Sequence, residues 1–171
     1  MAGVKAAALD TFAVLAVVAP LLWPALYNGY PLVYPDSPLY IALSFAPQQY
    51  VPRGLPYPLL LYGFHLGQSL WPAIAAQALI VAWVLHETVA VFFARHRALL
   101  LLALAVVLAL FTGLPWTVDQ IMPDFAAGAL VLAIVLPVLF GERLSPLRRA
   151  LLLAIALVAV ALHTSHAPLA L

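Results

Sequence analysis

One stretch, residues 34–58, reads YPDSPLYIALSFAPQQYVPRGLPYP and holds one carboxylate, Asp36, and one guanidinium, Arg53, among tyrosines and prolines. A carboxylate in such a partly dry setting can accept a proton from a hydroxyl and raise its nucleophilicity. Asp36 also suits the N-cap of a short helix, with Pro38 in the first turn, and the sequence leaves both roles open. Arg53 can snorkel at an apolar boundary, or it can hold an anion through its planar fork, which bonds two phosphate oxygens at once. Two further acids, Asp119 and Asp124, flank Ile121-Met122-Pro123. Either Asp124 caps the following helix or the pair faces the same recess as Asp36. His163 and His166 are three apart and share a helix face, so with a carboxylate they could ligate a divalent metal; polar hydrogen bonding at a helix end is the commoner fate of such a pair. His86 and Glu87 lie within an apolar run, where ionisable groups are costly and face a bundle interior. They read as a pair drawn towards Arg95 or as a proton relay, and Asp10 is treated alike.

These residues must be positioned by an almost wholly apolar chain. Of its 171 residues, 67% are hydrophobic and 8% charged. Soluble domains carry roughly a quarter charged residues, and a soluble fold of this size could not hide so much apolar surface. Long Leu/Ala/Val runs without period-two alternation argue for helices rather than barrel strands. The expected fold is therefore all-α, a polytopic integral membrane bundle of about five transmembrane helices with a structured first external loop at about 28–58. The spans are expected at about 9–27, 70–94, 98–111, 124–140 and 150–162, with a short interfacial helix at 36–45 and an apolar segment at 59–66 too short to cross. Pro47, Pro52, Pro56 and Pro58 hold the rest of the loop extended or turned.

Five spans place Lys5, Arg95, Arg97, Arg143, Arg148 and Arg149 on one side, six of the seven Lys and Arg residues. That side is cytoplasmic by the positive-inside rule, and so is the N-terminus. The opposite side collects Asp36, Arg53, Asp119, Asp124 and the two histidines. The N-terminal run lacks a signal-peptide cleavage pattern and reads as a retained first helix. The net charge of +1 argues against a nucleic-acid binder. Without cysteine there is neither disulfide nor thiolate chemistry. No internal repeat of the transporter kind is evident.

In chain order, the sequence gives a first span, an external Asp36 with Tyr40 four residues on, and Arg53 before PYPLL. A short apolar segment and a Gly67-Gln68-Ser69-Leu70 break into a long second span follow. Over about residues 9–95 this resembles the N-terminal portion of GT-C class glycosyltransferases, the superfamily of protein O-mannosyltransferases and lipid A aminoarabinose transferases. The resemblance implies a sugar moved from a polyprenyl-phosphate donor to an acceptor hydroxyl on the outer side of a membrane, in bacteria the inner membrane. It implies Asp36 as catalytic base and Arg53 near the donor phosphate. Tyr34, Tyr40, Tyr57, Asp119 and Asp124 are the further substrate-binding candidates. The implied partners are membrane lipids and the lipid-linked donor, with a membrane-protein partner as a further candidate. No organic cofactor is implied; a divalent metal is the one candidate, with His163 and His166 as its ligands. Ser37 departs from the pattern, since many members carry Glu beside the Asp. Members are also longer, so residues 1–171 are expected to form a single transmembrane domain at the N-terminal end of a longer protein. Two other classes fit the composition: a non-catalytic multi-pass subunit of a membrane complex, and a small transporter-type protein with Glu87 and the histidines as its proton path.

Overall fold

The structure, a computed structural model, describes residues 2–46 and 55–170, which are all-helical with no strand among them. Among the described residues nine α-helices follow one another: α1 (Ala2–Leu21), α2 (Trp23–Asn28), α3 (Ser37–Phe45), α4 (Pro56–His65), α5 (Trp71–Phe92), α6 (Arg97–Phe111), α7 (Leu114–Asp119), α8 (Ala126–Phe140) and α9 (Pro146–Leu162). Short 3₁₀ turns occupy Pro123–Phe125, Gly141–Arg143 and Thr164–Ala170.

Among the described residues two helical segments are long and apolar enough to cross a membrane: Trp71–Phe92, with 22 residues, and Pro123–Arg143, with 21. Ala8–Leu21 and Arg97–Phe111 are apolar but shorter. A straight crossing takes about 20 apolar residues, while α6 has 15 and α9 has 17. Thr112 ends α6, its hydroxyl donating back to Leu108 O just before the Gly113-Leu114-Pro115 turn into α7.

The first helix expected at about 9–27 is broken. Pro24 has no N–H for Pro20 O, and its ring would clash with that carbonyl in a continuous helix. The chain kinks at Leu22 (φ −101°, ψ 9°), and α2 restarts with Pro24 in its first turn. Gly29, at φ 83°, closes α2 in the left-handed conformation that a Cβ disfavours, its N–H bonding Ala25 O at 2.8 Å.

α5 is the central pillar. It packs against α1 and α6 on one side and α8 on another, with α9 laid along α8. Small residues make the α8–α9 seam close: Ala126, Ala129 and Ala133 on α8, Ala156 and Ala159 on α9. Arg143 donates to Val91 O at 3.2 Å and so ties the turn after α8 to the end of α5. At the other end of α5, α3 packs on α4, and α7 packs on α1, α2, α5 and α6. An isolated parallel bridge pins the loop leaving α2: Leu32 N donates to Asp119 O, and Ile121 N to Leu32 O, both at 3.0 Å. This bridge fixes where residues 34–37 leave the bundle. Trp23 reinforces it, crossing Trp116 edge-on at 5.6 Å and donating to Ala109 O at 3.3 Å.

Candidate functional site

Asp36 sits at the head of α3 and is half-buried. Its carbonyl accepts from Leu39 N at 3.1 Å, but its carboxylate makes no helix-capping bond. The cap reading of the sequence therefore does not describe its side chain. Ser37 supplies the local turn instead, its hydroxyl accepting from Tyr34 N at 2.8 Å. Asp36 and Tyr40 are four residues apart, so both start from one flank of α3.

Tyr40 crosses Tyr57 of α4 edge-to-face, with ring centroids 5.1 Å apart. Both rings are fully buried, so these two candidate substrate ligands are core residues whose ring faces are already covered. Burial pushes the Tyr57 phenol well above its ordinary range, with Tyr40 and the nearby Asp124 carboxylate adding to the effect. Tyr57 Oη donates to Gln77 Oε1 at 2.7 Å, and Gln77 Nε2 donates to Val118 O at 2.7 Å and Gln120 O at 3.0 Å. Gln77 is thus a buried hub on α5 that joins α4 to the α7–α8 connection. Sequence reasoning missed it, because one amide in an apolar span gives no local signal. Tyr34, by contrast, is 52% exposed.

Asp124 lies in the 3₁₀ turn ahead of α8, half-buried, and makes no side-chain cap there either. It is the one charged residue lining a cavity of about 490 Å³ between α5, α6 and α8, whose wall is otherwise mostly apolar and includes Leu85, Leu108 and Leu132. Thr112 and Thr117 contribute hydroxyls that bond back to helix carbonyls, so Asp124 supplies the cavity's uncommitted polarity.

Asp119 stands apart from that cavity. It is 0% exposed, and its Oδ2 accepts from Ala25 N at 2.7 Å, capping α2 across the bundle. Its Oδ1 is buried without a hydrogen-bond partner. Burial pushes the Asp119 carboxyl up to about 6, against the lowering effect of the Ala25 N–H. The structure therefore sets Tyr40 against Tyr57 and brings the Asp124 carboxylate near Tyr57, places Asp36 one turn before Tyr40 on α3, commits Asp119 to the fold, and leaves Arg53 outside the described residues.

His65 and Ser44 resemble a nucleophile pair and are not one. His65 Nδ1 accepts from Gly67 N at 2.7 Å, so the ring proton is on Nε2 and is donated to Ser44 Oγ at 2.9 Å. Ser44 in turn donates to Ile41 O at 2.6 Å. The ring cannot take a proton from Ser44, and the pair is a latch between α3 and α4.

His166 Nδ1 donates to Ala159 O at 2.7 Å, and its ring lies 5.5 Å from that of His163, which is engaged with Ser165. Among the described residues no three His, Cys, Asp or Glu side chains gather in a group that could hold a metal ion. His86 and Glu87 do not turn to Arg95. Glu87 lies 3.6 Å from Arg148 and His86 lies 3.6 Å from Asp10, so both partners come from distant helices. No family model, no curated protein and no solved structure matches this chain.

Proposed function

We propose that the chain is the membrane-embedded part of a glycosyltransferase that takes its sugar from a polyprenyl-phosphate donor. In this reading α1, α5, α6, α8 and α9 span the bilayer with the N-terminus in the cytoplasm. α2, α3, α4 and α7 lie at the outer boundary, where interfacial aromatics such as Tyr27, Tyr30 and Tyr34 belong. Asp36 takes the proton from the acceptor hydroxyl. Arg53 holds the donor phosphate and stabilises it as it leaves. The isoprenoid enters the recess beside Asp124.

The observation that carries this reading is that recess. It is a mostly apolar cavity of about 490 Å³ with one carboxylate, Asp124, close enough to Tyr57 to act on its phenol, and the Tyr57 ring packs on Tyr40 of α3, four residues from Asp36. A lipid-linked sugar needs an apolar slot meeting a polar mouth. The test is a polyprenyl-phosphate sugar with a photoreactive isoprenoid, added to the complete protein in nanodiscs. Crosslinks are expected at Leu108 and Leu132, competed by the unlabelled donor. Crosslinks spread evenly over the exposed faces of α6 and α8, unaffected by competitor, would overturn the assignment of the recess.

A non-catalytic subunit is the second reading. What favours it is that Tyr40, Tyr57 and Asp119 are spent on the fold itself.

A further inference from the structure

Three neighbouring cavities follow one another along α5 and α9, each sharing lining residues with the next. The first, about 560 Å³, is charged: Asp10, His86, Glu87, Arg97 and Arg148 line it, with Trp83 at its edge. The second, about 250 Å³, shares Trp83 and Leu151 with the first and is lined only by Leu, Ile and Trp side chains. The third, about 210 Å³, shares Ile80, Leu151 and Ile155 with the second and runs on to Leu162. From Arg148 to Leu162 the groove follows α9 for about 21 Å at 1.5 Å per residue. One leaflet's hydrocarbon is about 15 Å deep.

The charged end is incompletely satisfied. Glu87 is 1% exposed, and its Oε2 has no hydrogen-bond partner, nor has buried His86 Nε2. The ion-pair partners of those atoms, Arg148 and Asp10, stand at 3.6 Å, beyond a good hydrogen bond. Arg97 Nε is committed to Phe93 O at 2.9 Å, which holds that guanidinium at the rim. Two carboxylates and two guanidinium groups thus line one cleft. A ligand that answers both must carry an anion and a cation together, with an acyl chain behind them. A helix from a second copy would fill the groove but leave the Glu87 and His86 atoms without partners.

We propose that this cleft and groove hold a zwitterionic aminophospholipid from the leaflet at the basic end of the bundle. Its phosphate lies against Arg97 and Arg148, its ammonium against Asp10 and Glu87, and one acyl chain runs along Trp83, Ile80 and Ile155. The proposal rests on the bundle spanning a bilayer, not on the transferase reading, because the site lies at the far end of α5 from Gln77 and Asp124.

The experiment uses the full chain, delipidated in detergent, with brominated lipids quenching Trp83 and Trp83→Phe as the subtraction for the other three of its four tryptophans. Phosphatidylethanolamine should half-saturate the quench at about a tenth of the concentration needed for phosphatidylglycerol or diacylglycerol, since charge-assisted hydrogen bonds differ by that order. Glycerophosphoethanolamine, which has no chains, should compete poorly. Glu87→Gln should erase the preference over phosphatidylglycerol. Asp10→Asn, at a position that is partly exposed, should reduce it and gives the same reading if the Glu87 variant does not fold. Ala154→Phe, in the groove wall, should weaken all diacyl lipids alike. Equal quenching by the three lipids, or a preference that survives both carboxylate changes, overturns the proposal. Protection of Trp83 from every lipid, together with a stable dimer, overturns it in favour of a second copy.

Discussion

Asp119 offers a prediction whose sign and size both follow from its surroundings. Its carboxyl is fully buried, accepts one N–H from Ala25, and is raised from 3.8 to about 6. In the unfolded chain it titrates near 4. Between those two values the folded state binds more protons than the unfolded state, so stability falls as pH rises through the window. Below pH 4 both states are protonated and above about 6 both are ionised, so the slope is confined to that interval. The whole effect is about 3 kcal/mol, present as extra stability at the acid end. Asp119→Asn keeps an oxygen for Ala25 N and removes the ionisation. The variant should therefore match the wild type near pH 4 and exceed it near pH 8. Asp119→Ala should lose about 1–3 kcal/mol near pH 4, because the buried Ala25 N–H loses its acceptor, and this deficit should be offset near pH 8, where the wild-type carboxylate is ionised. The assay is thermal unfolding in one detergent across pH 4–8, followed by tryptophan fluorescence, which Trp23 on α2 and Trp116 on α7 report. Parallel pH profiles for the wild type and Asp119→Asn would refute the reasoning.

Gln77→Leu should destabilise the bundle by about 2–4 kcal/mol, since it removes the partner of Tyr57 Oη and two bonds to the α7–α8 connection; unfolding midpoints read this, and an unchanged midpoint contradicts the hub. Ser44 should stay unmodified by a serine-directed fluorophosphonate, read by peptide mass spectrometry, because His65 donates to it rather than accepting. For the topology, Gln48→Cys should label with an impermeant thiol reagent in intact cells and His96→Cys should not; the reverse pattern would sink the orientation.

The parts of the fold legible in the sequence were those set by local chemistry. The Gly67-Gln68-Ser69 break delivers α5 one residue from its expected start, and Asp36-Ser37-Pro38 opens α3 where turn chemistry put it. The turn Arg95-His96-Arg97 separates α5 from α6, with His96 in the left-handed region at φ 58°. What failed depended on distant partners. Asp119 is claimed by Ala25, 94 residues away, and Glu87 by Arg148 rather than nearby Arg95. Neither pairing leaves a periodic trace. Tyr40 and Tyr57 resembled ligands because rings in a loop suggest binding, but packing α3 on α4 turned them inward against each other. The kink at Leu22 was signalled by Pro20 and Pro24, and an uninterrupted first helix gave too little weight to the clash a proline makes one turn back.

The most direct test of the account is transfer by the complete protein carrying Asp36→Asn, in membranes supplied with a polyprenyl-phosphate sugar. The amide is nearly isosteric with the carboxylate, so the protein should fold. An amide cannot take the acceptor's proton, so turnover should fall by about 10²–10⁴. Wild-type turnover in a well-folded Asp36→Asn protein would contradict the assignment of this loop and leave the non-catalytic subunit as the better reading.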